Sequence, residues 1–256
     1  MLAIERRNQI LEKLQTEKKV LVSDLSQIYD VTEETIRRDL EKLEKSGLIT
    51  KSYGGAVLNE NTNLDLPFNV RKNRNVVSKQ KIAGLMRDLI KDGDTIMLDS
   101  STTAVFIAKA LKDRKNLTVI TNSIEILIEL ADVSGWRILS TGGTLREGSL
   151  DLVGPQSDSM IRSYYAEKAI ISCKGIDLTK GITDSNELLA GSKKAMLEAS
   201  KQKILLVDSS MFGSIAFTKI GDIRDFDIVV TDLEPEEQWK EYFTDNGVEC
   251  RFGQPG

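Results

Sequence analysis

The sequence predicts an α/β protein: an N-terminal winged helix-turn-helix domain at residues 1–57, then a larger three-layer α/β/α domain with a mainly parallel sheet at residues 76–256. Three helical stretches and a hairpin pattern in the first 57 residues predict the first part. The later change to short β-branched runs alternating with helical stretches predicts a sheet covered on both faces. The polar, aperiodic segment between them, residues 58–75, predicts a linker.

The composition excludes several kinds of functional site. The chain has 256 residues, of which 40% are hydrophobic, and this is enough to build a core in each of two domains. It contains no histidine and only two cysteines. Histidine-based catalysis, histidine-ligated metals and a disulfide framework are therefore excluded, and we expect no cofactor.

The distribution of apolar and charged residues bears on location. No apolar run approaches the length of a membrane span, and the first ten residues carry charges where a signal peptide would be apolar. We therefore expect a cytoplasmic protein that does not bind a membrane. The net charge of −4, with ten basic and ten acidic residues among the first 55, does not by itself indicate nucleic-acid binding. Such binding must follow from where the charges lie.

The first two helices are predicted at about residues 3–15 and 23–29. Ser23 is the expected N-cap of the second helix, because serine accepts backbone N–H groups at this position. The residues expected to face the core are Ile4, Ile10, Leu11 and Leu14 in the first helix and Leu25 and Ile28 in the second.

The third helix has the clearest boundaries. Thr32 is the expected N-cap, Glu33 and Glu34 favour the positive end of the helix dipole, and Gly47 ends the helix. Its apolar stripe consists of Ile36, Leu40 and Leu43. The next ten residues, LITKSYGGAV, alternate around a Gly-Gly pair and predict a wing.

Polar residues outside this stripe are candidates for contacts with DNA. Threonines near the start of a recognition helix lie where bases are usually contacted, and arginine can donate to guanine or to phosphate. Lysine and tyrosine on the helix and wing suit backbone contacts, which position a protein without specifying sequence. The candidate residues are Thr32, Thr35, Arg37, Arg38, Lys42, Lys51 and Tyr53. The alternative is an amphipathic helix whose polar face is merely solvated.

The second part contains six short β-branched runs at residues 95–99, 117–121, 137–141, 168–172, 204–208 and 227–231. Helices are predicted near residues 78–91, 102–112, 123–132, 152–165, 188–201 and 235–246. Ligands of parallel sheets bind beyond the carboxyl ends of the strands. Small hydroxyl residues, glycines and aspartates follow these runs, and the DSSTT segment at residues 99–103 opens a helix, which suits an anion. The alternative is that these residues are ordinary helix N-caps.

These motifs together resemble the DeoR family of transcriptional regulators. The resemblance is carried by Arg6, Ile10 and Leu14, by TEETIRRDL at residues 32–40 and by YGGA at residues 53–56, and it continues over nearly the whole chain. It implies a winged helix-turn-helix that binds double-stranded operator DNA, usually in a repressor of a sugar-catabolic operon.

The resemblance also implies a C-terminal domain similar to ribose-5-phosphate isomerase and the wider phosphosugar-isomerase and CoA-transferase-like fold, in which a phosphorylated sugar binds as inducer. The matching residues add Lys79, Gly154 and Lys193 to the polar strand ends. The effector-site residues predicted in this way are Lys79, Asp99, Ser100, Ser101, Thr102, Thr103, Thr121, Asn122, Gly142, Gly143, Lys174, Asp177, Lys193 and Asp208.

Two positions depart from the family pattern. Met211 stands where many members have lysine, and Leu189 stands where many have glutamate. These differences remove one positive and one negative charge from segments matched to the ligand site, so they bear on which ligand is bound.

Two other classes of function remain open at this point. The first is a phosphosugar isomerase that carries a DNA-binding domain, with Asp177, Asp184 and Lys193 as its acid–base candidates. The second is an architectural DNA-binding protein whose C-terminal domain serves only for assembly. A homo-oligomer, either a dimer or a tetramer held through residues 76–256, is expected because one winged helix reads few base pairs.

Overall fold

The computed structural model describes residues 1–59, 66–146 and 148–253, without the side chains of Gln15 and Thr16. The chain forms two compact units, Met1–Arg74 and Asn75–Gly256. At residues 58–75, where the sequence predicts a linker, the structure differs from the prediction. Its residues 60–65 lie outside the described residues, and Phe68–Asn73 form a helix whose Phe68 and Val70 are buried. In the described part of the chain, every helix is too short or too polar to cross a membrane.

The first unit contains four helices and three strands among its described residues. In chain order they are α1 (Ala3–Glu17), β1 (Lys19–Leu21), α2 (Val22–Tyr29), α3 (Glu33–Lys45), β2 (Ile49–Ser52), β3 (Gly55–Leu58) and α4 (Phe68–Asn73). Strands β2 and β3 form the predicted hairpin, and β1 pairs with β3 in an antiparallel sheet of order β1-β3-β2. This is a winged helix-turn-helix, as predicted.

Three predictions about the first two helices are wrong. Ser23 is not the N-cap of α2, because β1 leads directly into the helix; Leu21 is the N-cap and the N–H of Val22 donates to the carbonyl oxygen of Gly54 at 2.8 Å. Ile4 and Ile28 are exposed rather than buried. Their helices turn these side chains away from the core, which the spacing of apolar residues alone does not exclude.

The core of the first unit is formed by the apolar faces of its helices and by the sheet. The predicted stripe of α3 is buried, and it shares a cluster with apolar residues of α1 and α2. The buried residues of this cluster from the three helices are Ile10, Leu11, Leu14, Val22, Leu25, Ile36, Leu40 and Leu43. Gly47 follows the end of α3 with a positive φ of 71°, as its predicted role requires.

The second unit is built around a seven-stranded parallel sheet. The strands are β4 (Thr95–Leu98), β5 (Thr118–Thr121), β6 (Arg137–Ser140), β9 (Ala166–Ser172), β12 (Ser200–Val207), β14 (Ile228–Thr231) and β15 (Glu249–Phe252). Their order is β15-β14-β12-β9-β4-β5-β6. All six predicted runs lie in this sheet, whereas β15 was not predicted because its sequence, ECRF, is not a β-branched run.

Helices cover the sheet, and the second unit also contains two small, separate antiparallel sheets. The helices are α5 (Val76–Leu89), α6 (Thr102–Ala110), α7 (Ile124–Leu130), α8 (Pro155–Arg162), α9 (Glu187–Glu198) and α10 (Glu237–Asp245). The antiparallel strands are β7 (Thr144–Leu145), β8 (Leu152–Val153), β10 (Gly175–Asp177), β11 (Gly181–Asp184) and β13 (Thr218–Gly221). They form the pair β7-β8 and a sheet of order β10-β11-β13, neither of which the sequence predicts.

The strand order places the polar segments together. Strands β12, β9, β4 and β5 are consecutive neighbours and parallel. Their carboxyl ends therefore meet at one edge of the sheet, which brings the segments that begin at Asp99, Thr121, Ser172 and Asp208 to that edge.

Candidate functional site

The N-terminus of α3 presents the two candidate threonines at the surface. Thr32 is the N-cap: its Oγ1 accepts a hydrogen bond from the N–H of Thr35 at 3.3 Å. The two hydroxyl oxygens of Thr32 and Thr35 are 3.0 Å apart. Both side chains thus stabilise the first turn of the helix while remaining partly or fully exposed.

The candidate cations are exposed, and three of them are ion-paired. Nη2 of Arg37 is 2.5 Å from Glu33 and Nε of Arg38 is 3.2 Å from Glu34. On β2, Nζ of Lys51 is 2.9 Å from Glu44. The remaining candidates, Lys42 on α3 and Tyr53 in the wing turn, are exposed.

A buried ion pair that the sequence did not predict joins α1 to α3. Nε of Arg6 lies 2.6 Å from one carboxylate oxygen of Asp39, and Nη1 of Arg7 lies 3.4 Å from the other. Arg6 and Asp39 are both buried. One signal for this contact was present: Asp39 stands three residues after Ile36 and therefore lies on the apolar side of α3.

In the second unit, Asp99 organises the strand ends. It follows β4 and is fully buried. Its Oδ1 accepts the N–H of Ser101 at 3.0 Å, and its Oδ2 accepts the N–H of Ser172, at the end of β9, at 2.9 Å. Asp99 therefore shapes the turn that opens α6 and ties it to the adjacent strand.

Lys193 places a buried positive charge beside Asp99. Its Nζ, extending from α9, lies 2.7 Å from the carbonyl oxygen of Ser172, 2.5 Å from Asp184 and 3.4 Å from Asp99. Burial alone would lower the pKa of Lys193, but the two carboxylates outweigh burial and raise it. Burial opposes ionisation of Asp184 as well, yet the ammonium of Lys193 lowers its pKa. Both groups are therefore charged at neutral pH.

The segment from Ser100 to Thr103 forms the start of α6. Ser101 is the N-cap, and its Oγ accepts the N–H of Ala104 at 3.1 Å. Ser100, Thr102 and Thr103 are buried. The first turn of a helix leaves backbone N–H groups without an intrahelical acceptor and carries partial positive charge, which suits an anion.

The next strand end, after β5, contains a buried acceptor. Oγ1 of Thr121 accepts the N–H of Ser123 at 3.1 Å, which shapes the turn into α7. Nδ2 of Asn122 donates to the carbonyl oxygen of Leu152 at 3.1 Å, which fixes the orientation of the amide. Oδ1 of Asn122 is buried and has no hydrogen-bond partner among the described residues.

The other predicted effector residues have varied surroundings. Gly143 serves a close approach of backbones, because a Cβ there would lie 2.7 Å from the carbonyl oxygen of Val153, whereas Gly142 faces open space. Oδ1 of Asp177 accepts hydrogen bonds from Thr179 and Lys180 in its own turn, and the Thr179 hydroxyl lowers the Asp177 pKa. These contacts are local to the turn that follows β10.

Two lysines and one aspartate complete the predicted set. Lys79 is buried on α5, with its Nζ 6.0 Å from the ring centroid of Phe106. Lys174 is half-buried just after β9. Asp208, after β12, accepts the N–H of Ser210 at 3.0 Å. The geometry thus brings Asp99 and Lys193 into direct contact. Lys174 and Asp208 act on the same cluster through their charges, since Lys174 helps to lower the Asp184 pKa and Asp208 helps to raise the Cys173 pKa.

A buried thiol lies beside the Lys193 cluster. Cys173 follows Ser172, and burial raises its pKa to about 12. The thiol is therefore protonated at neutral pH and unreactive as a nucleophile. Within the parts of the chain that the structure describes, no group of three or more cysteine, aspartate or glutamate side chains is placed to hold a metal ion.

Comparison with known proteins identifies both units. The DeoR-like helix-turn-helix domain matches residues 6–62, and the DeoR C-terminal sensor domain matches residues 74–233. The chain belongs to the DeoR family. As a DeoR-family regulator, it shares with its relatives a DNA-binding helix-turn-helix, which confirms the class predicted from α3 and the wing.

Curated relatives align with this DeoR-family chain over nearly their whole length. It is 44% identical to the uncharacterized HTH-type transcriptional regulator YulB of Bacillus subtilis over 92% of both chains. It is 34% identical to the HTH-type transcriptional regulator GolR of Listeria innocua over 99% of this chain and 100% of that one. It is also 29% identical to the glycerol-3-phosphate regulon repressor of Escherichia coli over 97% and 98%.

Proposed function

We propose that this DeoR-family protein represses an operon for sugar catabolism, and that a phosphorylated sugar binds its second unit and releases the operator DNA. The observation that carries the proposal is the polar edge of the parallel sheet, where the N-terminus of α6 and the buried Oδ1 of Asn122 follow neighbouring strands. The similar E. coli protein is, by its name, the glycerol-3-phosphate regulon repressor, which supports the role of repressor.

The two features suit the two ends of a sugar phosphate. The first turn of α6 suits the phosphate, since backbone N–H groups and the helix dipole both favour an anion. Oδ1 of Asn122 accepts but does not donate, so it suits a sugar hydroxyl. Met211, in the turn after β12, supplies no positive charge where many family members have lysine, so the phosphate is held with fewer cations.

The acid–base candidates favour a sensor over an isomerase. A residue that shuttles protons works best with a pKa near the working pH. Here the Lys193 pKa is raised and the Asp184 pKa is lowered by their mutual contact, so each holds the other in its charged form. The Asp177 pKa is also lowered. All three are therefore moved away from neutrality, and we propose that the protein is not an enzyme.

We further propose that the protein acts as a homo-oligomer, with residues 76–256 forming the assembly. One α3 helix contacts few base pairs, and an operator with two half-sites doubles the contacts made by a symmetric dimer.

The test measures operator release. The operator is the double-stranded sequence that the protein enriches from a random pool. Ribose 5-phosphate, other sugar phosphates and the polyol phosphate glycerol 3-phosphate are then titrated against the complex, each beside its unphosphorylated counterpart. The active phosphate should weaken operator binding about 5- to 150-fold, the usual range of allosteric coupling. The unphosphorylated sugar should have no effect.

The variant Ser101→Ala/Thr102→Ala localises the response. It should bind the operator as tightly as the wild type without ligand, because α3 is in the other unit, yet fail to release it. Tryptophan fluorescence checks folding, since both tryptophans, Trp136 and Trp239, are in the second unit. Release of the folded variant at the wild-type ligand concentration would refute the site, and turnover of ribose 5-phosphate would favour the isomerase.

A further inference from the structure

The N-terminus of α3 carries two carboxylates where DNA contact is expected. Glu33 and Glu34 are the first two residues of the helix, and their side chains are 48% and 63% exposed. A recognition helix contacts bases through its N-terminal residues, close to the phosphates. Carboxylates there interact favourably with the positive end of the helix dipole, but the phosphates of DNA repel them. Helix stability alone therefore does not explain why carboxylates stand at a position where they weaken DNA binding.

The geometry of the two ion pairs supplies an explanation. Arg38 donates a hydrogen bond to Glu34 through its Nε, at 3.2 Å. Neither Nη1 nor Nη2 of Arg38 has a partner in the part of the chain that the structure describes, so the end of the guanidinium remains free to donate two parallel hydrogen bonds. Arg37 likewise donates to Glu33 through a single nitrogen, Nη2, at 2.5 Å.

We propose that Glu33 and Glu34 are specificity residues that make Arg37 and Arg38 read bases in preference to phosphates. Each carboxylate holds one edge of the guanidinium and cancels its charge, while the remaining N–H groups stay available. Phosphates attract arginine mainly through charge, whereas guanine is recognised by directed hydrogen bonds to O6 and N7. Cancelling the charge therefore weakens binding to random DNA more than binding to the operator. The inference rests on the predicted DNA-binding role of the two arginines.

The same helix provides a matched control. Glu41 pairs with Lys45 at 3.1 Å, with the same i,i+4 spacing and comparable exposure, but Lys45 is not one of the candidate DNA contacts. Glu41→Gln therefore removes one carboxylate and one pair of the same kind from α3, which is half the change made by replacing both Glu33 and Glu34.

The experiment compares the wild type, Glu33→Gln/Glu34→Gln and Glu41→Gln. Affinities for the selected operator and for random DNA of equal length are measured across a range of salt concentrations. The double variant should bind random DNA more tightly, and its ratio of operator to random affinity should fall about tenfold, a size typical of one bidentate base contact. Glu41→Gln should change both affinities in parallel and leave the ratio within about twofold, the effect of one surface pair. An unchanged ratio in the double variant, or an equal fall in Glu41→Gln, would overturn the proposal.

A double-mutant cycle separates this role from direct reading of bases by the glutamates. In an Arg38→Ala background, Glu34→Gln should no longer alter the affinity ratio, because the carboxylate acts through the arginine. If Glu34→Gln lowers the ratio equally in both backgrounds, Glu34 itself contacts bases and the proposal is wrong. A second result would also contradict charge cancellation. In it, Arg38→Ala and Glu34→Gln weaken operator binding equally and leave binding to random DNA unchanged. If Arg37→Ala/Arg38→Ala binds the operator like the wild type, the predicted DNA-binding role itself fails.

Discussion

At the residue scale, the stability of the second unit depends on the buried ammonium group of Lys193, which is surrounded by oxygen atoms. Nζ of Lys193 is surrounded by Asp184, Asp99 and the carbonyl oxygen of Ser172, and all of these side chains are buried. Removing one partner of a buried ion pair leaves the other without compensation, which costs more than the pair itself contributes. Lys193 is thus expected to matter for stability as well as for any ligand.

Lys193→Met should lower the free energy of unfolding of the second unit by about 3–5 kcal/mol at pH 7, because two buried carboxylates lose their cation. Urea unfolding followed by tryptophan fluorescence measures the change. Lys219→Met is the matched control, since Lys219 pairs with Asp222 at 2.6 Å on the surface. That variant should lose less than about 1 kcal/mol. Equal losses of unfolding free energy in the two variants would contradict the idea that burial makes the Lys193 charge important.

The ion pair of Asp184 and Lys193 also makes the free energy of unfolding depend on pH. The Asp184 pKa is lowered in the folded protein, so the stability it contributes is present above its ordinary value of 3.8 and is lost as the pH falls through the folded value. The Lys193 pKa is raised, so its contribution is lost only as the pH rises above 10.5. Asp184→Asn should therefore be less stable than the wild type at pH 7 but lose less further stability on acidification below pH 4.

The sequence located these residues but not their contacts. Asp99 and Lys193 were predicted as ligand-binding because aspartate after a strand and a basic residue suit a phosphate edge. Their separation along the chain hides the fact that Lys193 is already surrounded by protein oxygens. Pairing between distant residues depends on how α9 packs, and no local pattern carries that information. The effector roles of the predicted residues remain predictions.

At the scale of elements, the position of the wing depends on a glycine. Gly55 begins β3 opposite Leu21 of β1, and a Cβ on it would lie 1.9 Å from the carbonyl oxygen of Val20. No side chain fits at that distance, so β1 and β3 would have to separate. Gly54, one residue earlier, has a positive φ of 75° and open space around its ideal Cβ.

Gly55→Ala should therefore destabilise the first unit more than Gly54→Ala. The cost for Gly54→Ala is about 1–2 kcal/mol for a left-handed residue, whereas Gly55→Ala disrupts the pairing of β1 with β3. Hydrogen exchange at Val20 and Ala56 measures the pairing. Faster exchange only in Gly55→Ala is expected, and equal exchange in the two variants would show that the close approach is not important.

The elements were predictable where the pattern is local and strong. Three of the four helices of the first unit, the wing and six strands of the parallel sheet follow from apolar spacing, N-caps and β-branched runs. Strand β1 was missed because it has only three residues and exists through pairing with β3. The sheet β10-β11-β13 was missed because β13 lies more than thirty residues after β11 along the chain. Such pairings require the tertiary fold.

At the scale of the whole molecule, the proposed function requires more than one copy of α3 on DNA. At micromolar concentration, light scattering should give at least a dimer mass, and the selected operator should contain two related half-sites. Residues 75–256 alone should retain the same assembly if that unit supplies the interface. A full-length chain that scatters as a monomer at this concentration would contradict the proposed oligomer.

Because Cys173 is buried, its reaction with a thiol reagent reports local opening of the protein. The thiol follows Ser172, whose backbone binds both Asp99 and Lys193, and burial raises its pKa to about 12. A thiol-specific reagent can therefore modify Cys173 only during moments when this strand end opens. Cys250 is the other free cysteine and is more exposed, so it is first replaced by serine. In that variant the rate of modification reports Cys173 alone and measures how often the ion cluster comes apart. A ligand bound at this edge would slow that rate without any change to the DNA or the label, so the affinity of an effector can be read from a single native cysteine.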